Sequence, residues 1–253
     1  MKMEVIEIFG KKFGFCRSPR CSYGDKMNRM VKLAYQFEEL SLKMDGLIER
    51  GKYVTDTARC AMACKMMMYT GIRIGNEGSA EGYVTKPHPN SKKEPEFVQT
   101  YGLTTLLPEH CMVDVNGDVH LNFLGKKQVE NTFTVKGELA IQLREVLKTV
   151  EEGETVFEVT VRDLTRFIKK YVGVHFTPKD FRTMRANMVA YEKFAEICKR
   201  PKPKTKTEFN ANVKEIAEYV SEHLNNTPGV CKKSYIDAEL FLELGRVCPV
   251  TKK

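Results

Sequence analysis

The apolar positions of this chain recur with two different periods, and the switches between them mark its organisation. Residues 3–16 alternate apolar and polar side chains on either side of Gly10-Lys11-Lys12, which predicts two short strands around a turn. From Asp25 to Arg50 the apolar residues Met27, Met30, Val31, Ala34, Phe37, Met44, Leu47 and Ile48 fall at helical spacing, with Gly51 as the stop. Thr55 is placed to cap a helix ending near Thr70. Residues 78–99 are polar and rich in Gly, Pro, Ser and Lys, the composition of a loop.

Beyond that loop the period shortens to two. Residues 103–107, 111–115, 119–124 and 128–135 are short and rich in strand formers, and Asn116-Gly117 separates two of them. Asn-Gly is a hairpin signal because both residues tolerate positive φ, so a small antiparallel sheet is expected. The helical period then returns. Leu139, Leu143, Val146, Leu147 and Val150 form one stripe; Leu164, Phe167, Ile168 and Tyr171 form another. Thr177-Pro178-Lys179-Asp180 supplies a cap, a proline at the first helical position and an acid three residues after the cap. Phe181, Met184, Met188, Tyr191, Ala195 and Cys198 continue that helix. Residues 199–206, KRPKPKTK, carry five positive charges and two prolines and read as a basic linker. Phe209, Val213, Ile216, Ala217, Val220 and Leu224 define a further helix, residues 225–229 (NNTPG) break it, and a short helix resumes around Tyr235. The pattern is α+β and mostly helical, with one small sheet in the middle.

Composition narrows the class. The 253 residues are 42% hydrophobic, enough for a packed core and too apolar for a disordered tail. No run reaches the roughly 18 apolar residues of a membrane span, and the first thirty residues lack the apolar core of a secretory signal. An intracellular protein without membrane association is expected. Lys and Arg exceed Asp and Glu by 41 to 33, which points to a polyanionic partner. The eight cysteines read as buried thiols; Cys16-x4-Cys21 and Cys60-x3-Cys64 lack the C-x2-C spacing of a zinc knuckle, so no metal is expected. No G-x4-G-K-[ST] phosphate loop occurs either.

Phosphoryl transfer without a metal needs a nucleophile, cations around the non-bridging oxygens and an acid for the departing oxygen. Candidates for each stand in five short boxes. Arg73 lies in TGIRIGNE (70–77), Tyr101-Gly102-Leu103 follows, and Lys126 lies in FLGK (123–126). Arg182 lies in KDFRT (179–183), and Tyr235 closes the segment that begins Asn226-Thr227-Pro228 and runs through CKKSYI (231–236). In this order the boxes resemble those of type IB DNA topoisomerases, over residues 55 to 242.

The resemblance implies the tyrosine recombinase/topoisomerase IB catalytic fold and a set of roles. Tyr235 would attack a backbone phosphate of duplex DNA and hold the 3′ end. Arg73 and Arg182 would grip the phosphate, since arginine donates in a planar fork and stays charged. Lys126 would protonate the departing 5′ oxygen. Asn226 would donate a hydrogen bond where many family members have His, which excludes proton transfer from that position. Asn76, Thr100, Lys127, Lys179, Lys232 and Lys233 would contact DNA. The expected enzyme relaxes supercoiled DNA as a monomer, with no cofactor, ATP or metal. Members of the family usually carry a β-rich clamp domain before the catalytic domain; here residues 1–24 read as a short β/loop segment, 25–253 as the catalytic domain, and the clamp as missing.

Two other readings share the boxes. A tyrosine recombinase or integrase has the same chemistry, but favours His-x-x-Arg where this chain has Lys179-x-x-Arg182. A non-catalytic DNA-binding relative would keep the fold without needing all five chemical residues. Each residue also has an ordinary reading. Tyr235 could pack a helix, Lys126 and Lys127 could solubilise a hairpin, and Arg182 and Arg185 could form a solvated helix face. Arg73 and Glu77 could be a surface pair at i,i+4.

Overall fold

A computed structural model describes residues 3–18, 20, 22–85, 94–151 and 153–250. In chain order its strands and helices are β1 (Glu4–Ile8), β2 (Lys11–Phe15), α1 (Lys26–Tyr35), α2 (Phe37–Arg50), α3 (Asp56–Thr70), α4 (Glu77–Glu81), β3 (Tyr83–Val84), β4 (Phe97–Val98), β5 (Cys111–Val113), β6 (Val119–Gly125), β7 (Val129–Val135), α5 (Gly137–Leu147), α6 (Val161–Tyr171), α7 (Pro178–Ile197), α8 (Lys206–His223), α9 (Pro228–Ser234) and α10 (Ala238–Val247). They form two compact units. The first holds the chain up to Lys43, Met67–Gly71 and the chain from Tyr171; the second holds Met44–Met66 and Ile72–Lys170. The fold is α+β and mostly helical, as the periodicity indicates. No helix among the described residues is long and apolar enough to cross a membrane.

The first unit is helical around α7. Ala186, Val189 and Phe194 of α7 pack with Val213, Ile216 and Val220 of α8 and with Leu240 and Leu244 of α10. The antiparallel β1–β2 hairpin joins this core, and its turn is Phe9-Gly10, with φ of 47° and 75°. Two left-handed residues match the twist of a two-residue hairpin, so Lys11 and Lys12, expected in the turn, begin β2 instead. Gly14 of β2 is where the hairpin meets α7: a Cβ there would stand 2.3 Å from a ring carbon of Tyr191. The single helix expected from Asp25 to Arg50 is two, separated at Gln36 with φ −94° and ψ 6°. No Gly or Pro marks the break, which turns Phe37 inward, edge-on to Tyr69 at 5.1 Å. Downstream, Tyr235 stands just after α9 and not within a helix, and α10, which the sequence reading did not separate, follows it.

In the basic linker, Arg200 is drawn to Glu215 at 2.7 Å and to Glu196, so part of that charge is neutralised locally. Thr205 then caps α8 by accepting from the Glu208 amide at 3.1 Å.

The second unit contains the three-stranded antiparallel sheet β5-β6-β7 and the short β3–β4 pair. Along β6 and β7 the inward positions Val119, Leu121, Phe123, Phe133 and Val135 are buried, and α5, which buries Leu139, Leu143 and Val146, lies against β6. Residues 103–107 are not a strand. Leu103–Thr105 is a single 3-10 turn, closed when the Gly102 amide donates to Thr105 Oγ1 at 3.0 Å. The stretch 78–99, expected as loop, contains α4 and β3–β4, and its residues 86–93 lie outside the described residues. Cys60 and Cys64 are buried in α3, and burial pushes the Cys60 thiol up to about 12. Cys21 of the other pair lies outside the described residues.

The start of α7 is fixed by one carboxylate. Asp180 is 1% exposed, accepts from the Thr177 amide and hydroxyl at 2.9 Å each, and takes the Arg29 guanidinium of α1 at 3.1 Å. Capping and a buried ion pair thus meet on two oxygens. Asp180→Ala leaves Arg29 without that carboxylate and is expected to cost roughly 3 kcal/mol, read as a lower urea midpoint at unchanged m-value.

Candidate active site

Within the second unit, five candidates from the sequence converge. Arg73, Asn76, Thr100, Lys126 and Lys127 line one cleft of about 460 Å³, together with Tyr101. Arg73 is not in a helix but in the stretch between α3 and α4. Asn76 caps α4 by accepting from the Ser79 amide at 3.0 Å.

Tyr101-Gly102-Leu103 sets the spacing of this cleft. The Leu103 amide donates to the Arg73 carbonyl at 2.8 Å, and the Tyr101 amide donates to the Leu124 carbonyl at 2.7 Å. Three consecutive residues therefore tie the Arg73 peptide to the strand that leads into Lys126. Gly102 is needed between them: a Cβ there would stand 2.8 Å from the Arg73 carbonyl oxygen and from the Gly75 backbone.

Lys126 is carried on the turn between β6 and β7, where Gly125 pairs with Val129. Lys127 and Gln128 both hold positive φ, 65° and 59°, an uncommon state for residues with side chains. Asn131, 2% exposed, sits beneath this turn and donates to the Val129 carbonyl at 2.7 Å. The sequence reading missed Asn131. The signal was a polar residue at an inward position of an otherwise alternating strand.

Within the first unit, Arg182 and Tyr235 come together, and Asn226 comes soon after Leu224, whose carbonyl holds Arg182. Arg182 is 3% exposed, so it is not part of a solvated face. Its Nη1 donates to the Gly71 carbonyl at 2.6 Å and its Nη2 to the Leu224 carbonyl at 2.5 Å. The guanidinium carbon lies 5.2 Å from the centre of the Tyr235 ring. Asn226 Oδ1 accepts from the Thr227 amide at 2.9 Å, which orients its Nδ2 as a donor. That nitrogen is buried without a hydrogen-bond partner among the described residues. Such a group costs about 1–3 kcal/mol, and its chemistry suits an anionic oxygen. Lys179 on the first turn of α7, and Lys232 and Lys233 on α9, are exposed.

The peptide of Tyr235 is held from several sides. Asn187 Nδ2 of α7 donates to the Tyr235 carbonyl at 2.8 Å, and Asn187 Oδ1 accepts from the Asp237 amide at 2.8 Å. Lys26 donates to the Ser234 carbonyl at 2.6 Å, and Arg17 Nε donates to buried Asp237 at 2.7 Å. That hydrogen bond raises the Arg17 pKa further. None of these three supports was legible as a site residue, although Asn187 stands out as an amide on the apolar face of α7.

A family model described as the eukaryotic DNA topoisomerase I catalytic core matches residues 24–241. The chain belongs to that family. It is also similar to the DNA topoisomerase 1B of Acanthamoeba polyphaga mimivirus, 28% identical over 151 residues, which is 54% of this chain and 45% of the relative. The match thus spans less than half of that viral protein. Family membership accounts for the five boxes appearing in order.

Gly102→Ala should lower stability by about 2 kcal/mol, because the atoms it would meet are backbone. Gly229→Ala on α9, where a Cβ meets nothing within 4 Å, should be neutral or stabilising. Parallel thermal melts of the two variants check this.

Proposed function

We propose that the chain is a type IB DNA topoisomerase that relaxes supercoiled duplex DNA through a transient single-strand break, with residues 25–253 as its catalytic region, acting as a monomer. The observation that carries the reading is the buried Arg182 guanidinium lying against the Tyr235 ring. A cation fixed beside a phenol suits a tyrosine nucleophile and a phosphate ligand at once.

In this reading Tyr235 Oη attacks the phosphorus, the bond to the 5′ oxygen breaks, and the 3′ end is held as a phosphotyrosyl ester. Lys126 gives its proton to the 5′ oxygen as it departs. Arg73 and Arg182 bind the non-bridging oxygens, and the orphan amide of Asn226 donates to one of them. Asn76, Thr100, Lys127, Lys179, Lys232 and Lys233 hold neighbouring phosphates. One phosphodiester is exchanged for another, so the bond energy is kept and religation is the same step reversed. Between the steps, torsion in the DNA rotates one end about the intact strand. Lys179 in place of the recombinase histidine favours relaxation over recombination.

Plasmid relaxation in EDTA without ATP tests the reading. The wild-type chain is expected to relax supercoiled DNA and to be trapped as a covalent adduct on the 3′ end by denaturant. Tyr235→Phe is expected to abolish both, and persistent relaxation by that variant would sink the mechanism. Strand exchange between paired sites, without relaxation, would favour the recombinase. Asn187→Ala should slow single-turnover cleavage about tenfold, the effect of roughly 1.4 kcal/mol in the transition state, with duplex affinity retained.

A further inference from the structure

A second cleft in the same unit adjoins the first. Its volume is about 860 Å³, it shares Asn76 with the cleft of Arg73 and Lys126, and its far wall is α6. That wall presents Arg162, Thr165, Arg166 and Lys169. These positions follow i, i+3, i+4 and i+7, one face of a helix, and the opposite face buries Leu164, Phe167 and Ile168. Arg162, Arg166 and Lys169 are all exposed.

The charge on this face is one-sided. Elsewhere some exposed cations pair with a nearby acid, as Lys148 does with Glu145 at 2.6 Å and Lys214 with Glu218 at 3.1 Å. On α6 the i,i+4 partner of Arg162 is Arg166, and like charges at that spacing repel. The acids near the face are Asp163, 3.4 Å from Arg166, and Glu77 on the opposite wall of the cleft. Three cations therefore face one carboxylate across the groove, with Asp163 engaging Arg166 from the side. A helix rises 1.5 Å per residue, so Arg162 to Lys169 covers about 10 Å. That is roughly three base pairs of one strand.

We propose that Arg162, Arg166 and Lys169 form a phosphate track along which duplex DNA flanking the cleavage site lies, continuous with the catalytic cleft through Asn76. The track rests on the topoisomerase reading, because the same duplex must enter the adjoining cleft. It carries no base-reading geometry, so its contribution is sequence-independent and salt-sensitive.

The test uses the full chain carrying Tyr235→Phe, bound to a short duplex of mixed sequence, with affinity measured across a series of salt concentrations. Replacing Arg162, Arg166 and Lys169 together by Gln should flatten the log–log salt dependence by about 2–3, near 0.9 for each phosphate lost, and weaken binding more than tenfold at low salt. Lys148→Gln with Lys214→Gln, which removes ordinary helix charges, should leave the slope unchanged. A thermal melt of the triple variant at the parent midpoint confirms that α6 is intact. An unchanged slope in the triple variant, or an equal drop in the Lys148/Lys214 control, overturns the track. Absence of relaxation by the wild-type chain would overturn the enzymatic reading instead, and the slope comparison would still report on the track.

Discussion

Arg182 buries its guanidinium and donates from Nη1 and Nη2 to the ends of two helices. Leu224 is the residue that ends α8, and Gly71 follows the last residue of α3. Both carbonyls that hold Arg182 therefore belong to helix C-termini, where the backbone dipoles leave partial negative charge. Gly71 can occupy its place because it adopts φ 66° and because a Cβ there would meet Leu224 at 2.9 Å. One cation thus bonds to the ends of two helices, α3 and α8. Partial charges at the two carbonyls hold the guanidinium in place.

The second unit solves a related problem with backbone alone. Arg73 and Lys126 stand 53 positions apart in the chain, yet Tyr101, Gly102 and Leu103 link their surroundings through two main-chain hydrogen bonds. A tie made of amides and carbonyls does not depend on rotamers. It holds Arg73 at a set distance from a hairpin whose tip, at Lys127 and Gln128, stores left-handed backbone. Asn131 braces that tip from below, so the residue predicted to move a proton sits on a stiff support.

The residues proposed to touch phosphate could be named from the sequence because such chemistry constrains residue type and local context together. The elements were legible where one period ran unbroken, as along α7 with its cap, proline and acid. The split at Gln36 was hidden because no breaker residue causes it; the inward turn of Phe37 against Tyr69 does. Residues 103–105 look like a strand from composition, but Gly102 and Thr105 close them into a turn through a side chain. The supports of the Tyr235 peptide escaped for another reason. Arg17, Lys26 and Asn187 act on peptides far away in sequence, and no local pattern reports a partner at that distance. Asn131 and Asn187 show what remains readable: an amide standing where the period calls for an apolar side chain.

The bond between Arg17 and Asp237 spans 220 residues, and that between Lys26 and Ser234 spans 208. Contacts of such separation form late, because the intervening chain must be ordered first. On the ribosome, the β1–β2 hairpin and the start of α1 emerge long before the segment they are to hold. The first unit must wait for its own far end, with Asn187 and Arg17 exposed in the meantime. The setting of Tyr235 is therefore completed only when both of these long-range bonds have formed.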